Sequence, residues 1–193
     1  MPMKLIAIFL LLSGFFAAGS LAARAQVAPA GYGRTFSVTA GGMVSGFQPD
    51  YAGGGIAETS PNRLYGMGTY VDIRFTHWFQ VEAEGRWLRY NQLANINESN
   101  YLIGPRLPIQ KLHFWRATPY AKALIGLGKM NFEYNYATGQ FTDIAYGGGL
   151  DVKINRRLSV RAIDFEYQQW PKWINDEQLF PYGVSVGVGY KIF

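Results

Sequence analysis

Eight stretches of this chain alternate between apolar and small or polar side chains. A period of two is the signature of a strand whose faces meet different surroundings. The pattern predicts strands over 34–47, 64–75, 79–90, 100–108, 118–133, 142–154, 158–169 and 182–193. In the second, Tyr65, Met67, Val71, Ile73 and Phe75 oppose Gly66, Gly68, Tyr70, Asp72 and Arg74. In the last, Tyr182, Val184, Val186, Val188, Tyr190 and Ile192 oppose Gly183, Ser185, Gly187, Gly189 and Lys191. Pro105 and Pro108 weaken the fourth, since proline donates nothing to a ladder. In the seventh the phase slips near Ala162 and Ile163, as a β-bulge would make it.

The connections sort into two kinds. Short ones surround His77 and Asn155, and an intermediate one spans 109–117. Longer ones span 48–63, 91–99, 134–141 and 170–181. Short turns at one end and long loops at the other suit an outer-membrane barrel. A soluble sandwich also alternates, with its polar face outward. Three features favour the membrane. The strands match the roughly 9–11 residues of a tilted spanning strand. The polar face is dense in glycine and in charges of both signs, as a narrow lumen requires. Aromatic residues gather at strand ends, where the membrane interfaces lie. Glycine numbers 23 and aromatics make up 16% of the chain, which fits such a wall.

Residues 1–25 read as a signal peptide. Lys4 precedes an apolar run from Leu5 to Phe16, and Ala23-Arg24-Ala25 supplies the small residues of a cleavage site before Gln26. A cleavage-site cysteine, the mark of a lipoprotein, is absent, as is every other cysteine. The barrel domain is then 26–193, and losing Lys4 and Arg24 leaves 16 basic against 13 acidic residues, a net +3. Basic residues scattered at that level do not suit nucleic acid. Without cysteine there is neither a disulfide nor a thiol metal site.

The fold class is therefore all-β: an eight-stranded antiparallel up-and-down transmembrane barrel. "WFQVEAEGRW", "YLIGPRL", "PYAKALIGLG", "AYGGGLDV" followed by "LSVRAIDFEY", and the terminal Phe193 carry a resemblance. The chain resembles small outer-membrane barrels grouped around the OmpA transmembrane domain and OmpX-like proteins, the "outer membrane protein beta-barrel domain" proteins. The resemblance implies a monomer surrounded by outer-membrane lipids and lipopolysaccharide. It also implies that Phe193 is an assembly signal read by the barrel-assembly machinery, although Lys191 departs from the usual alternation.

Asp72, Arg74, Glu82, Glu84, Arg86, Lys122, Asp151 and Arg161 fall on the inward face and form a candidate lumen charge cluster. In so narrow a barrel these charges must pair. Folding strands six and seven together sets Asp151 opposite Arg161, and folding two and three sets Asp72 opposite Glu82. No catalytic residue, metal ligand or cofactor is expected. His77 and His113 both fall at the short-turn end, away from the outer leaflet where a lipid-modifying site would stand. Gly147-Gly148-Gly149 reads as close packing within a strand. The expected function is a structural or surface-interaction barrel. A narrow porin-like channel and a soluble secreted ligand-binding barrel are the alternatives.

Overall fold

A computed structural model of the chain describes residues 36–49, 63–91, 96–112, 115–131, 138–171 and 178–193. Residues 1–25 and His113 lie outside them. Eight strands follow in chain order: β1 (Ser37–Gln48), β2 (Leu64–Arg74), β3 (Gln80–Asn91), β4 (Asn97–Pro108), β5 (Ala117–Asn131), β6 (Thr138–Lys153), β7 (Leu158–Gln169) and β8 (Tyr182–Lys191). Each pairs antiparallel with the next, and β8 returns to β1 to close the barrel. Closure leaves no open edge, which hydrocarbon demands of any sheet that crosses it.

The alternation sorts side chains by surroundings. Val44, Met67, Val71, Ile103, Ile125 and Phe165 stand exposed on the outer wall. Charged and polar groups such as Glu82, Arg86, Asp143 and Arg161 are wholly buried inside. A soluble barrel would reverse this, so the wall faces lipid. Aromatic rings mark both rims. Tyr65, Tyr90 and Tyr182 stand exposed toward the long-loop end, and Phe75, Trp78 and Trp115 toward the short-turn end.

Two bulges adjust the wall. Leu150 pairs with Ile163 and Asp151 with Arg161, leaving Ala162 as the extra residue in β7. Ala162 and Ile163 both face outward, and Asp164, Glu166 and Gln168 point inward after them. This is the slip read in the sequence. A second bulge makes Arg89 the extra residue in β3, because Tyr65 pairs with Tyr90 and Gly66 with Leu88. At Gly104 and Pro105 the β4–β5 ladder lapses, then resumes in the same register at Arg106 opposite Lys122. Pro105 lacks an N–H, so a lapse there breaks little.

The inner wall is glycine opposite several of the buried charged side chains. Arg86 pairs with Gly68, Glu82 with Gly104, Lys122 with Gly147, Asp164 with Gly149 and Arg161 with Gly187. Room is also made for rings. A Cβ on Gly41 would fall 2.3 Å from Cζ of Tyr70, and one on Gly149 would fall 2.7 Å from the Tyr120 hydroxyl. The Gly147–Gly149 run is thus a floor for Tyr120 and Lys122.

The long-loop end is plugged by apolar side chains. Phe47, Leu64 and Leu88 form one buried cluster, and Met130, Trp170 and Leu179 another. Trp170 pairs its backbone with Leu179 beyond β7, and its ring stacks on Phe141 at 5.7 Å between centroids.

Gly41→Val should displace the Tyr70 ring and lower stability by about 1–3 kcal/mol, the usual cost of overpacking. Gly42→Ala faces outward, with its Cβ 3.9 Å from the nearest atom, and should change stability by less than about 0.5 kcal/mol. Urea unfolding of the refolded protein in vesicles measures both.

Candidate functional site

Parity brings the inward charges to one interior, and register sets their height along it. Glu82 is the hub. Its Oε1 lies 3.2 Å from Nζ of Lys122 and 3.1 Å from a guanidinium nitrogen of Arg161. Its Oε2 lies 2.8 Å from a second Arg161 nitrogen and 3.1 Å from Nε of Arg106. One carboxylate therefore meets three cations supplied by β4, β5 and β7.

Lys122 sits one layer higher. Its ammonium contacts Glu82, Glu84 at 3.1 Å, Asp164 at 2.8 Å and Glu166 at 2.9 Å. Glu82, Glu84 and Asp164 bring carboxylate oxygens within 4.8 Å of one another, close enough to hold a metal ion. The ammonium already lies within ion-pair distance of all three acids, so they serve as its counter-ions. Above it, Arg86 bridges Glu84 at 2.9 Å and Glu166 at 2.8 Å. Asn100 donates to Asp143 at 2.8 Å and to Gln168 at 3.1 Å, and Gln168 donates to Glu166 at 2.8 Å.

Below the hub, Arg106 reaches Gln80 at 2.7 Å, Asp72 at 3.2 Å and Asp151 at 2.5 Å. Arg161 reaches Asp72 at 3.2 Å and Asp164 at 3.3 Å. Two tyrosine rings carry these guanidinium planes. Arg161 lies 3.7 Å from the Tyr70 centroid and Arg106 lies 3.6 Å from that of Tyr120. Phe47 faces Arg86 at 4.4 Å, joining the charged layer to the apolar plug above it. Stacking orients a guanidinium while leaving its edge donors to the carboxylates.

Asp72, Glu82, Glu84, Arg86, Lys122, Asp151 and Arg161, all read from the sequence as lumen charges, meet in this lattice. Asp72 does stand opposite Glu82, and Asp151 opposite Arg161. The cross-strand partner is not the strongest one, however. Asp151 lies 3.8 Å from Arg161 but much nearer Arg106. Arg74 makes no ion pair among the described residues and stands lower, at the short-turn mouth. Phe193 lies beyond β8 and is exposed.

Arg106, Asp164 and Glu166 belong to the lattice without having been singled out in the sequence. Arg106 sits between prolines that blur its strand. Asp164 and Glu166 follow the β7 bulge, and continuing the alternation past it turns both inward. The lattice thus holds four cations (Arg86, Arg106, Lys122, Arg161) against six carboxylates (Asp72, Glu82, Glu84, Asp151, Asp164, Glu166). All but Asp151 are close to fully buried. What such an arrangement does chemically is fill space and cross-link strands.

The sequence pattern of one protein family, described as "Outer membrane protein beta-barrel domain", matches residues 7–191. Comparison with curated proteins finds no match. Among solved structures, Neisserial surface protein A is similar with a TM-score of 0.59 and 9% identity, covering 81% of this chain and 96% of that one. The outer membrane protein OprG from Pseudomonas aeruginosa gives 0.53 and 13%, covering 84% and 98%. Ail, the attachment invasion locus protein of Yersinia pestis, gives 0.50 and 18%, covering 81% and 97%. At these identities the structural likeness is one of fold.

Lys122→Met removes the ammonium from four buried carboxylates and should cost about 3–5 kcal/mol, as breaking a buried pair does. Lys111→Met, on an exposed turn, should cost less than about 0.5 kcal/mol. Double-mutant cycles give a sharper comparison. Coupling between Glu82 and Arg161 should lie in the range of about 0.5–3 kcal/mol typical of contacting residues, and exceed that between Asp151 and Arg161. Urea titration of the three single and two double variants reads the difference.

Proposed function

The chain belongs to the outer membrane protein beta-barrel domain family and resides in the bacterial outer membrane, and we propose that it serves there as a sealed, non-catalytic barrel that holds surface segments in place. The observation that carries this reading is the lattice centred on Glu82 and Lys122. A pore needs a hydrated path, and here carboxylates and cations from β2, β3, β4, β5, β6 and β7 fill the section where such a path would run. The apolar plug around Phe47 and Trp170 supports the same reading at the long-loop end. An eight-stranded barrel has little interior left once side chains occupy it.

The catalytic reading finds no support in the residues that would carry it. His77 stands exposed in the β2–β3 turn, and the lattice carboxylates already face cations. In barrels of this kind the longer connections face the cell exterior. The connections between β1 and β2 and between β7 and β8, at that end, are accordingly the contact surface in this reading, apart from the buried Trp170 and Leu179. Ail carries attachment in its name, and a comparable role for this chain is part of the proposal. Its immediate surroundings are outer-membrane lipids and lipopolysaccharide, and it acts as a monomer.

Two measurements test the reading. Proteoliposomes containing the folded chain should show no more swelling in small sugars than empty liposomes, and planar bilayers should show no steady conductance. Swelling that rises with protein content would support the channel instead. For the surface role, replacing residues 50–62 with a short glycine–serine linker should leave barrel yield in the outer membrane within about twofold and reduce adhesion of whole cells to host-derived surfaces. Unchanged adhesion would remove that segment from the role.

A further inference from the structure

Below the lattice the barrel opens into a cavity of about 420 Å³ at the short-turn end. That volume lies within the range of small-molecule sites, roughly 300–1,000 Å³. Its lining has an unusual charge balance. Arg74 from β2, Lys153 from β6, Arg156 and Arg157 from the β6–β7 turn, and Lys191 from β8 all contribute to the wall. None of these five cations makes an ion pair among the described residues. The acids at the cavity floor, Asp72 and Asp151, are taken up by Arg106 and Arg161. Nε of Arg74 is buried without an acceptor, leaving a guanidinium donor unused inside the wall. Ser37, Thr39 and Ser159 add hydroxyl groups to the same lining.

The β6–β7 turn is held tightly by one side chain. Oδ1 of Asn155 accepts from the backbone N–H of Arg157 at 2.8 Å and of Leu158 at 2.7 Å, which closes the turn tightly. Arg157 donates to the Tyr190 hydroxyl at 3.1 Å on the outer face of β8, which holds its guanidinium toward the rim and leaves Arg156 as the turn's cation for the cavity. Lys191 faces inward because Gly187 and Gly189 do, two and four residues before it. The lysine that interrupts the apolar alternation at the end of the chain thus has a place in the cavity wall.

We propose that this mouth is a binding site for a small, soluble, phosphate-bearing anion. Four cations around a cavity with hydroxyl groups, Arg74, Lys153, Arg156 and Lys191, match a group with several acceptor oxygens and more than one negative charge. Arginine forks suit phosphate by bidentate geometry. The lattice closes the far side of the cavity, so the site is a blind vestibule rather than a conduit. The strand wall separates it from the bilayer, so the ligand arrives from the aqueous side, the periplasm in barrels of this topology. The site stands on the cavity itself and does not depend on the surface role proposed above.

Inorganic pyrophosphate is the probe, titrated calorimetrically into the folded chain in zwitterionic micelles at low salt. Saturable one-to-one binding is expected. Arg74→Gln with Lys153→Gln should weaken it tenfold or more, and Lys111→Gln, at the same end but outside the cavity, should leave it within twofold. If the first pair fails to fold, Arg156→Gln with Lys191→Gln serves, since one lies in an exposed turn and the other at the last residue of β8. No binding, or equal weakening by Lys111→Gln, would overturn the proposal. Citrate binding as tightly as pyrophosphate would overturn the preference for phosphate.

Discussion

Everything inside this barrel depends on the neutralisation of Glu82. A carboxylate at that depth is cut off from bulk solvent, and transferring a bare ion out of water costs many kcal/mol. Lys122, Arg161 and Arg106 surround it from three different strands. Each of those cations then needs further acids, which come from β2, β3, β6 and β7. Neutralising one group thus fixes the relative positions of six strands. The lattice is weak evidence for stability as such, because a well-packed apolar core would do as well or better. What it supplies here is registry. A one-residue slip turns each inward charge toward lipid, so a strand cannot move without exposing ions to hydrocarbon.

Much of this was legible from parity. Alternation assigned Asp72, Glu82, Arg86, Lys122 and Arg161 to the interior, and the eight strands followed from the same signal. The β7 slip could be read because Leu158 and Val160 fit one phase while Phe165 and Tyr167 fit the other. The β3 bulge could not. Arg89 and Tyr90 both face outward at a rim, where a charge and a tyrosine fit equally well. Parity also says nothing about height. Arg74 shares its inward face with Asp72, yet it stands at the mouth, because height follows from the stagger between strands rather than from the residues of any one. For the same reason Asp151 meets Arg106 more closely than its cross-strand partner Arg161. Side chains as long as arginine reach across the lumen, past the residue their backbone faces.

Along its axis the interior divides into three sections of different chemistry. Apolar side chains and Trp170 close the long-loop end, a lattice richer in acids than in bases fills the middle, and cations without an ion pair among the described residues line the short-turn mouth. The excess acid and the excess base lie at neighbouring levels, so the field inside the barrel runs toward the lattice from the mouth. A barrel that only had to exist in the membrane would need the first two sections. The third adds cations whose charge the lattice does not absorb, at the end where an aqueous solute can reach them.

The central claim is that the lattice is dry and closed, and the exchange of the Lys122 ammonium protons with water tests it most directly. Nitrogen-15 NMR of the folded chain in micelles, with Lys122 assigned by substitution, would follow that exchange near neutral pH. The account predicts an observable, slowly exchanging ammonium, well separated from the exposed lysines, whose signals exchange broadens away. A Lys122 signal that exchanges as fast as that of Lys111 would mean water threads the lumen, and the sealed lattice would be contradicted.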